Sequence, residues 1–263
     1  MDITWILGHL LAIGIGLSLG LIGGGGSILA VPILVYVMGL SAREAIAASL
    51  FIVGVVSLIG LIPHAKAGHV SLKLALTFAP AAMVGAYAGA RFAELPFISD
   101  TIQLVAFGIV MLLASILMIR KKRDNPPIQL DPQPDPGATA KSPSLGKTVL
   151  IPLEGLLVGV ITGFVGVGGG FAIIPALVLL GGTPIKEAIG TSLLIIGLKS
   201  ATAFWGYLGQ VSLDWNLILS FTLAATLGTY GGALLSRRLD ASHLQKGFGY
   251  FVLAVSIFIL IQR

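Results

Sequence analysis

Gly23-Gly24-Gly25-Gly26-Ser27-Ile28-Leu29-Ala30-Val31-Pro32 and Gly166-Val167-Gly168-Gly169-Gly170-Phe171-Ala172-Ile173-Ile174-Pro175 are one passage written twice, 143 positions apart. Each interrupts an apolar stretch with glycines, which disfavour helix, and closes on a proline, which lacks an N–H donor. The first stretch, 4–39, has 36 residues, about 54 Å if it were a single helix at 1.5 Å per residue. A bilayer's hydrocarbon core is only about 30 Å thick. The glycine run is therefore where the chain folds back. The matching stretch, 148–182, breaks at Gly166–Gly170.

The repeat extends beyond the glycines. At the same offset Gly16, Gly20 and Pro32 fall on Gly159, Gly163 and Pro175. Further along, Glu44, Ala45, Ile46, Ser49, Gly54 and Ser57 fall on Glu187, Ala188, Ile189, Ser192, Gly197 and Ser200. Between 16–57 and 159–200 there are 17 identities in 42 positions, which makes the chain an internal duplication. The segment 120–147, with six prolines and nine charges, cannot span a membrane and reads as a Pro-rich linker. It separates an N-terminal repeat, 1–119, from a C-terminal repeat, 148–263. Helices are expected at about 43–62, 72–93 and 99–119, and again at about 186–206, 213–236 and 244–262. Gly85/Gly89 and Gly228/Gly232, like Gly16/Gly20 and Gly159/Gly163, are GxxxG pairs of the kind that let membrane helices approach closely.

Composition points the same way. Of 263 residues 56% are hydrophobic and only 10% charged, with mean hydropathy +1.00. Soluble domains carry roughly 25% charge, so a soluble enzyme and a disordered chain are both poor descriptions. The fold class expected is an all-α polytopic membrane protein made of two inverted repeats with Gly-broken membrane segments. The net charge of +5 sits mainly in short loops and the linker, where it orients the chain in the bilayer rather than binding nucleic acid. There is no cysteine, which excludes disulfides and thiolate chemistry. The apolar N-terminus, without a basic stretch before it, is expected to stay as a membrane element.

Orientation follows from the basic residues. A fold-back in each repeat gives an odd number of crossings and inverts the second repeat relative to the first. Lys66, Lys73, Arg120, Lys121, Lys122, Arg123, Lys141, Lys147, Lys186, Arg237, Arg238 and Lys246 then share one side, against Arg43, Arg91 and Arg263 on the other. An even number of crossings would divide them nine to six. The positive-inside rule favours the first arrangement. It places the linker in the cytoplasm and both termini outside, in a cell membrane of the bacterial inner-membrane type.

Glycine runs that break a helix at membrane depth must be buried in protein or line a polar cavity. The N–H groups of the helix that follows each run would face that cavity, and a helix N-terminus attracts anions. Two inverted copies would bring two such ends together near the midplane, a recurrent transporter design. The alternative is that these glycines serve only tight packing.

At these residues the sequence resembles the sulfite exporter TauE/SafE family, also called the 4-toluene sulfonate uptake permease family. The resemblance covers both repeats. It rests on the glycine clusters with their prolines, on Leu179-Leu180-Gly181-Gly182-Thr183-Pro184, and on Ala188-Ile189-Gly190-Thr191-Ser192. The first repeat departs from it, with Ala47-Ala48-Ser49 where Gly-Thr-Ser is usual. The resemblance implies a transporter of small anions, with sulfur oxyanions such as sulfite and organosulfonates as the leading class, and it favours Thr191 and Ser192 as contacts.

The candidate substrate-binding residues are Gly23, Gly24, Gly25, Gly26, Ser27, Ser49, Gly166, Gly168, Gly169, Gly170, Thr191, Ser192 and Lys199. Pro32, Pro175, Gly85, Gly89, Gly228 and Gly232 are candidate structural residues. Ser49, Thr191 and Ser192 could donate to a sulfonate oxygen or bond back to their own helix. Lys199 lies well inside a helix, where a lysine costs about 2.5–3.5 kcal/mol. It either attracts an anion or snorkels to the outer interface, with Trp205 and Tyr207 marking that boundary. Glu44 and Glu187 suit the first turns of their helices, and His64 and His69 flank a solvated loop. No metal-binding motif and no Walker loop is present, and no cofactor is implied. Nothing specifies an oligomeric state. The partners expected are a small anionic substrate and the lipid bilayer. The competing reading is an integral-membrane enzyme acting on a phosphorylated lipid or small molecule. It would need an acid or base at membrane depth, and Glu154 is the sole carboxylate there. A receptor subunit would have little extramembrane surface to offer.

Overall fold

The structure, a computed structural model, describes residues 3–120, 145–166, 173–174, 177, 183–209, 211–235 and 241–261. The first repeat supplies α1 (Ile3–Ile22), a 3-10 turn (Gly25–Leu29), α2 (Ala30–Tyr36), α3 (Ala42–Lys66), α4 (Leu72–Ala93) and α5 (Asp100–Arg120). The second supplies α6 (Leu145–Val165), α7 (Ile185–Tyr207), α8 (Trp215–Leu235) and α9 (Ala241–Ile261). Ile173, Ile174 and Leu177 are also helical, and no strand occurs among the described residues. The linker residues 121–144, together with Gly168, Gly169, Gly170 and Pro175, lie outside the described residues.

Local chemistry sets the helix ends. Ser41 and Glu44 form a reciprocal capping box at the start of α3, and Glu44 also accepts from Ser212 Oγ at 2.9 Å. This satisfies donors that the first turn of a helix leaves unpaired. Among the described residues, five helical segments are long and apolar enough to cross a membrane: Ile3–Leu21, Ala42–Lys66, Leu72–Ala93, Lys186–Tyr207 and Trp215–Leu235. Leu76, Val84, Leu223 and Leu227 point outward with most of their surface exposed. In water such a belt would aggregate; in a bilayer lipid tails cover it. The chain is an all-helical, multi-pass membrane protein.

The two repeats interlock. Helix α1 lies against α8 of the other repeat, and α6 lies against α4. A Cβ added at Gly16 or Gly20 would strike the α8 backbone at Ala225 or Thr229, and one at Gly228 or Gly232 would strike α1 at Ile13 or Leu17. The other pair reproduces this. Gly85 and Gly89 meet the carbonyls of Leu156 and Val160, while Gly159 and Gly163 meet those of Ala82 and Ala86. Lipid tails are as apolar as leucine, so helices in a membrane gain little from hydrophobic burial; close backbone approach through small residues supplies the contact energy instead.

The centre is the crossing of α3 and α7. Gly54 faces Ser200, Gly197 faces Leu58, and Gly60 lies 3.8 Å from Leu193 when given a Cβ. The rings of Phe51 and Phe204 are 5.3 Å apart. Ascending numbers on one helix meet descending numbers on the other, so α3 and α7 run antiparallel. Helix α5 packs on α9, where Gly108 meets Leu260.

Candidate functional site

The ends of α1 and α6 are built the same way. Gly23 N–H donates to Leu19 O at 2.8 Å and closes α1, while its equivalent Gly166 N–H donates to Thr162 O at 2.9 Å and closes α6. Gly23 has φ 77° and Gly166 φ 74°, a left-handed conformation that glycine adopts without steric cost. At both, a Cβ would also collide with an isoleucine of the central pair: Ile189 of α7 at Gly23, and Ile46 of α3 at Gly166. One turn further along those helices stands a serine. Ser192 Oγ is 2.8 Å from Gly23 O and Ser49 Oγ is 2.7 Å from Gly166 O. Each serine also lies 2.8 Å from a carbonyl of its own helix, Ile189 O and Ile46 O. A hydroxyl has one proton, so each serine shares it between its own helix and the glycine carbonyl of the opposite repeat.

These two junctions do not meet. The pairings across the central crossing put Ser49 level with about residue 205 of α7, some 13 residues from Ser192, or about 20 Å along the axis. The sequence leads one to expect both glycine runs converging near the midplane. Gly23 and Gly166 instead sit at opposite thirds of the bundle, because each packs against the first turns of an antiparallel partner. Lys199 lies about midway, about 10 Å from either level.

Lys199 is 1% exposed, and its Nζ donates to Thr162 Oγ1 of α6 at 2.6 Å. Thr162 in turn donates to Val158 O at 2.7 Å. The ammonium is thus directed into the bundle, and the snorkelling alternative does not describe it. Trp205 is 70% exposed and faces outward as a boundary residue would, but Tyr207 is buried. The Tyr207 hydroxyl lies 3.3 Å from Phe164 O and accepts from Gln103 Nε2 at 3.3 Å, so it ties the end of α7 to α6 and α5. In the first repeat the positions of Lys199 and Thr162 are held by Val56 and Leu19, so the polar pair belongs to one repeat alone.

The remaining candidates scatter. Ser27 Oγ donates to Gly24 O at 2.8 Å within the 3-10 turn. Thr191 Oγ1 accepts from Ser71 N–H at 2.8 Å, which pins the loop after α3 to the first turns of α7. Gly24, Gly26 and Pro32 are buried near the α1–α2 turn, and Gly25 begins its 3-10 segment. Two grooves open on the flanks of the bundle. One, of about 340 Å³, is lined by Ile62, Pro63, Lys66 and Tyr230; the other, of about 590 Å³, by Pro80, Tyr87, Thr202 and Trp205. Neither borders the glycine junctions or Lys199. Thr162 is the polar contact that sequence reasoning missed; its repeat-equivalent is leucine, so the duplication gave no signal for it.

The family model "Sulfite exporter TauE/SafE" matches residues 9–259. A "Probable membrane transporter protein" of Xylella fastidiosa is 35% identical over 254 residues, covering 94% of this chain and 91% of its own. "Probable membrane transporter protein YunE" of Bacillus subtilis is 28% identical, with 84% of each chain covered. A "Probable membrane transporter protein" of Haemophilus influenzae is 26% identical over 92% of each. No solved structure matches the chain.

Proposed function

The chain belongs to the sulfite exporter TauE/SafE family of membrane transporters, and from that premise we propose that it carries small sulfur oxyanions, sulfite or organosulfonates, out of the cell. The observation that carries this reading is Lys199: one buried ammonium at the middle of a central helix, between two glycine junctions. A charge placed there costs about 2.5–3.5 kcal/mol, and a neutral residue serves the same position in the other repeat. An anionic cargo gives that cost a use. The substrate binds near mid-membrane between the two glycine-broken segments, with Lys199 as counter-charge. Ser49 and Ser192 hold the junctions and release them when the repeats move.

Export needs no coupling ion. An anion leaving a negative cytoplasm gains about 2.3 kcal/mol per charge per 100 mV. The matched contacts at Gly23 and Gly166 support two repeats related by an in-plane pseudo-twofold axis, and the Lys/Arg distribution supports a cytoplasmic linker with both termini outside a cytoplasmic membrane. Reporter fusions at residue 135 and at the C-terminus should then report opposite sides; the same side for both sinks the inverted topology. For the substrate, labelled sulfite and sulfoacetate should leave proteoliposomes at rates that rise with an inside-negative potential. Equal flux in protein-free vesicles would refute the assignment.

A further inference from the structure

A serine buried in a helix commonly gives its proton to a carbonyl one turn back, and this protein follows that habit repeatedly. Ser49, Ser115, Ser192 and Ser256 bond to Ile46, Leu112, Ile189 and Leu253, each at 2.8 Å. Ser57 on α3 and Ser200 on α7 depart from it. Both are 0% exposed, and neither hydroxyl has a hydrogen-bond partner. They are equivalents in the duplication, 143 positions apart. A buried hydroxyl left without a partner is costly; Ser18, Tyr36, Thr183 and Thr226 also carry one, but among the described residues only Ser57 and Ser200 do so at equivalent positions of the two repeats.

That position is the centre of the molecule. Ser57 follows Gly54 by three residues and Ser200 follows Gly197 by three, so each serine shares a helix face with a glycine of the α3–α7 crossing. A Cβ on Gly54 would stand 3.4 Å from Ser200 Cβ. The antiparallel register sets Ser57 opposite residue 197, about 4.5 Å in level from Ser200. The two hydroxyls therefore flank one crossing, where the glycines let the helices close up and Leu58 packs over Gly197. Lys199 is the chain neighbour of Ser200 but leaves α7 on another face, toward Thr162 of α6, so its ammonium contributes positive charge at this level without touching the two hydroxyls. Two hydroxyl donors at the level of an ammonium suit an anion, and the ammonium's charge disfavours a metal cation there.

We propose that Ser57 and Ser200 are substrate-binding residues, one from each repeat, whose O–H groups donate to the oxygens of a sulfur oxyanion at the α3–α7 crossing. The proposal rests on the sulfur-oxyanion reading above. It places the central binding point on hydroxyls rather than on the glycine runs, and it gives each repeat one donor to a shared ligand.

Titration of the purified full-length protein in detergent with sulfite and with sulfoacetate tests it. Hydrogen bonds to a charged group are the stronger kind, so Ser57→Ala and Ser200→Ala should each weaken binding about tenfold and the double variant about a hundredfold. Without ligand, the melting temperature of the double variant should stay the same or rise, because alanine removes a hydroxyl that has no partner. Ser115→Ala and Ser256→Ala make the same chemical change on α5 and α9 and should leave binding unaltered. Wild-type affinity in the double variant overturns the serine pair while leaving the substrate class standing. Weaker binding together with a lower ligand-free melting temperature assigns the serines to packing and overturns it as well. A wild-type protein that binds neither anion overturns the substrate class, and the serine pair with it.

Discussion

Replacing Lys199 by methionine separates the two costs that meet at this residue. The substitution keeps an unbranched side chain of similar length, so the space beside Thr162 stays filled. It removes a charge whose placement in a membrane helix costs about 2.5–3.5 kcal/mol. It also removes the 2.6 Å bond from Nζ to Thr162, and a hydrogen bond from a charged group is worth about 1.5–3 kcal/mol. The two oppose each other, so these terms leave the folded state between about 0.5 kcal/mol less stable and about 2 kcal/mol more stable. Anion binding has no such compensation. A unit pair 4 Å apart at an effective dielectric of 20 attracts by about 4 kcal/mol, and desolvation reduces that figure. The dissociation constant for sulfite should therefore rise between about 10-fold and about 1,000-fold, since 1.4 kcal/mol is tenfold. Calorimetric titration in detergent measures it, with a thermal melt alongside and labelled-sulfite efflux from proteoliposomes. Lys199→Arg retains the charge and should keep part of the affinity. A Lys199→Met protein that melts like wild type and binds sulfite within twofold of it would refute the counter-charge role.

Gly85→Val drives a branched side chain into the Leu156 carbonyl of α6; overpacking of this kind costs about 1–3 kcal/mol or more. Gly54→Ala places its methyl at an ordinary 3.4 Å from Ser200 Cβ and should leave the melting temperature nearly unchanged; equal damage from both would contradict the interlocked packing. Ser192→Ala removes the hydroxyl shared with Gly23 O and should destabilise the protein by about 1–3 kcal/mol, with Ser49→Ala matching it at Gly166. A large difference between the two would argue against equivalent junctions. Burial holds the Glu94 carboxyl above the usual carboxylate range, although Arg91 and Arg43 pull it down. An acid raised in this way keeps its proton more tightly when folded, so its stabilisation is complete at low pH and fades as pH rises through the folded value. Glu94→Gln should accordingly raise the melting temperature at pH 7 and not at pH 4; a pH-independent effect would contradict the shift.

Residue pattern alone determined the membrane class, the helix positions and the duplication. The scarcity of charge leaves no other solvent for so much apolar surface, and a bilayer's thickness sets the helix length. The expected helices at 43–62, 72–93 and 186–206 lie within α3, α4 and α7 to a few residues, because loops between spans need polar or helix-ending residues that are visible one at a time. The ends of α1 and α6, beside the first glycine of each run, were legible for the same local reason. What lies across from each break was not. A helix apolar on every side carries no periodic signal of which face looks inward, so the sequence could place Lys199 at mid-helix without showing that it turns toward Thr162 and not the interface. The repeat related Gly23 to Gly166 but not to their partners; only the antiparallel crossing of α3 and α7 sets their junctions about 20 Å apart. Hydroxyls follow the same rule. Ser49 and Ser57 are alike in sequence, two turns apart on one helix, yet one reaches the carbonyl of Gly166 and the other has no partner. That difference arises from which backbone stands opposite, and only the packed helices decide it.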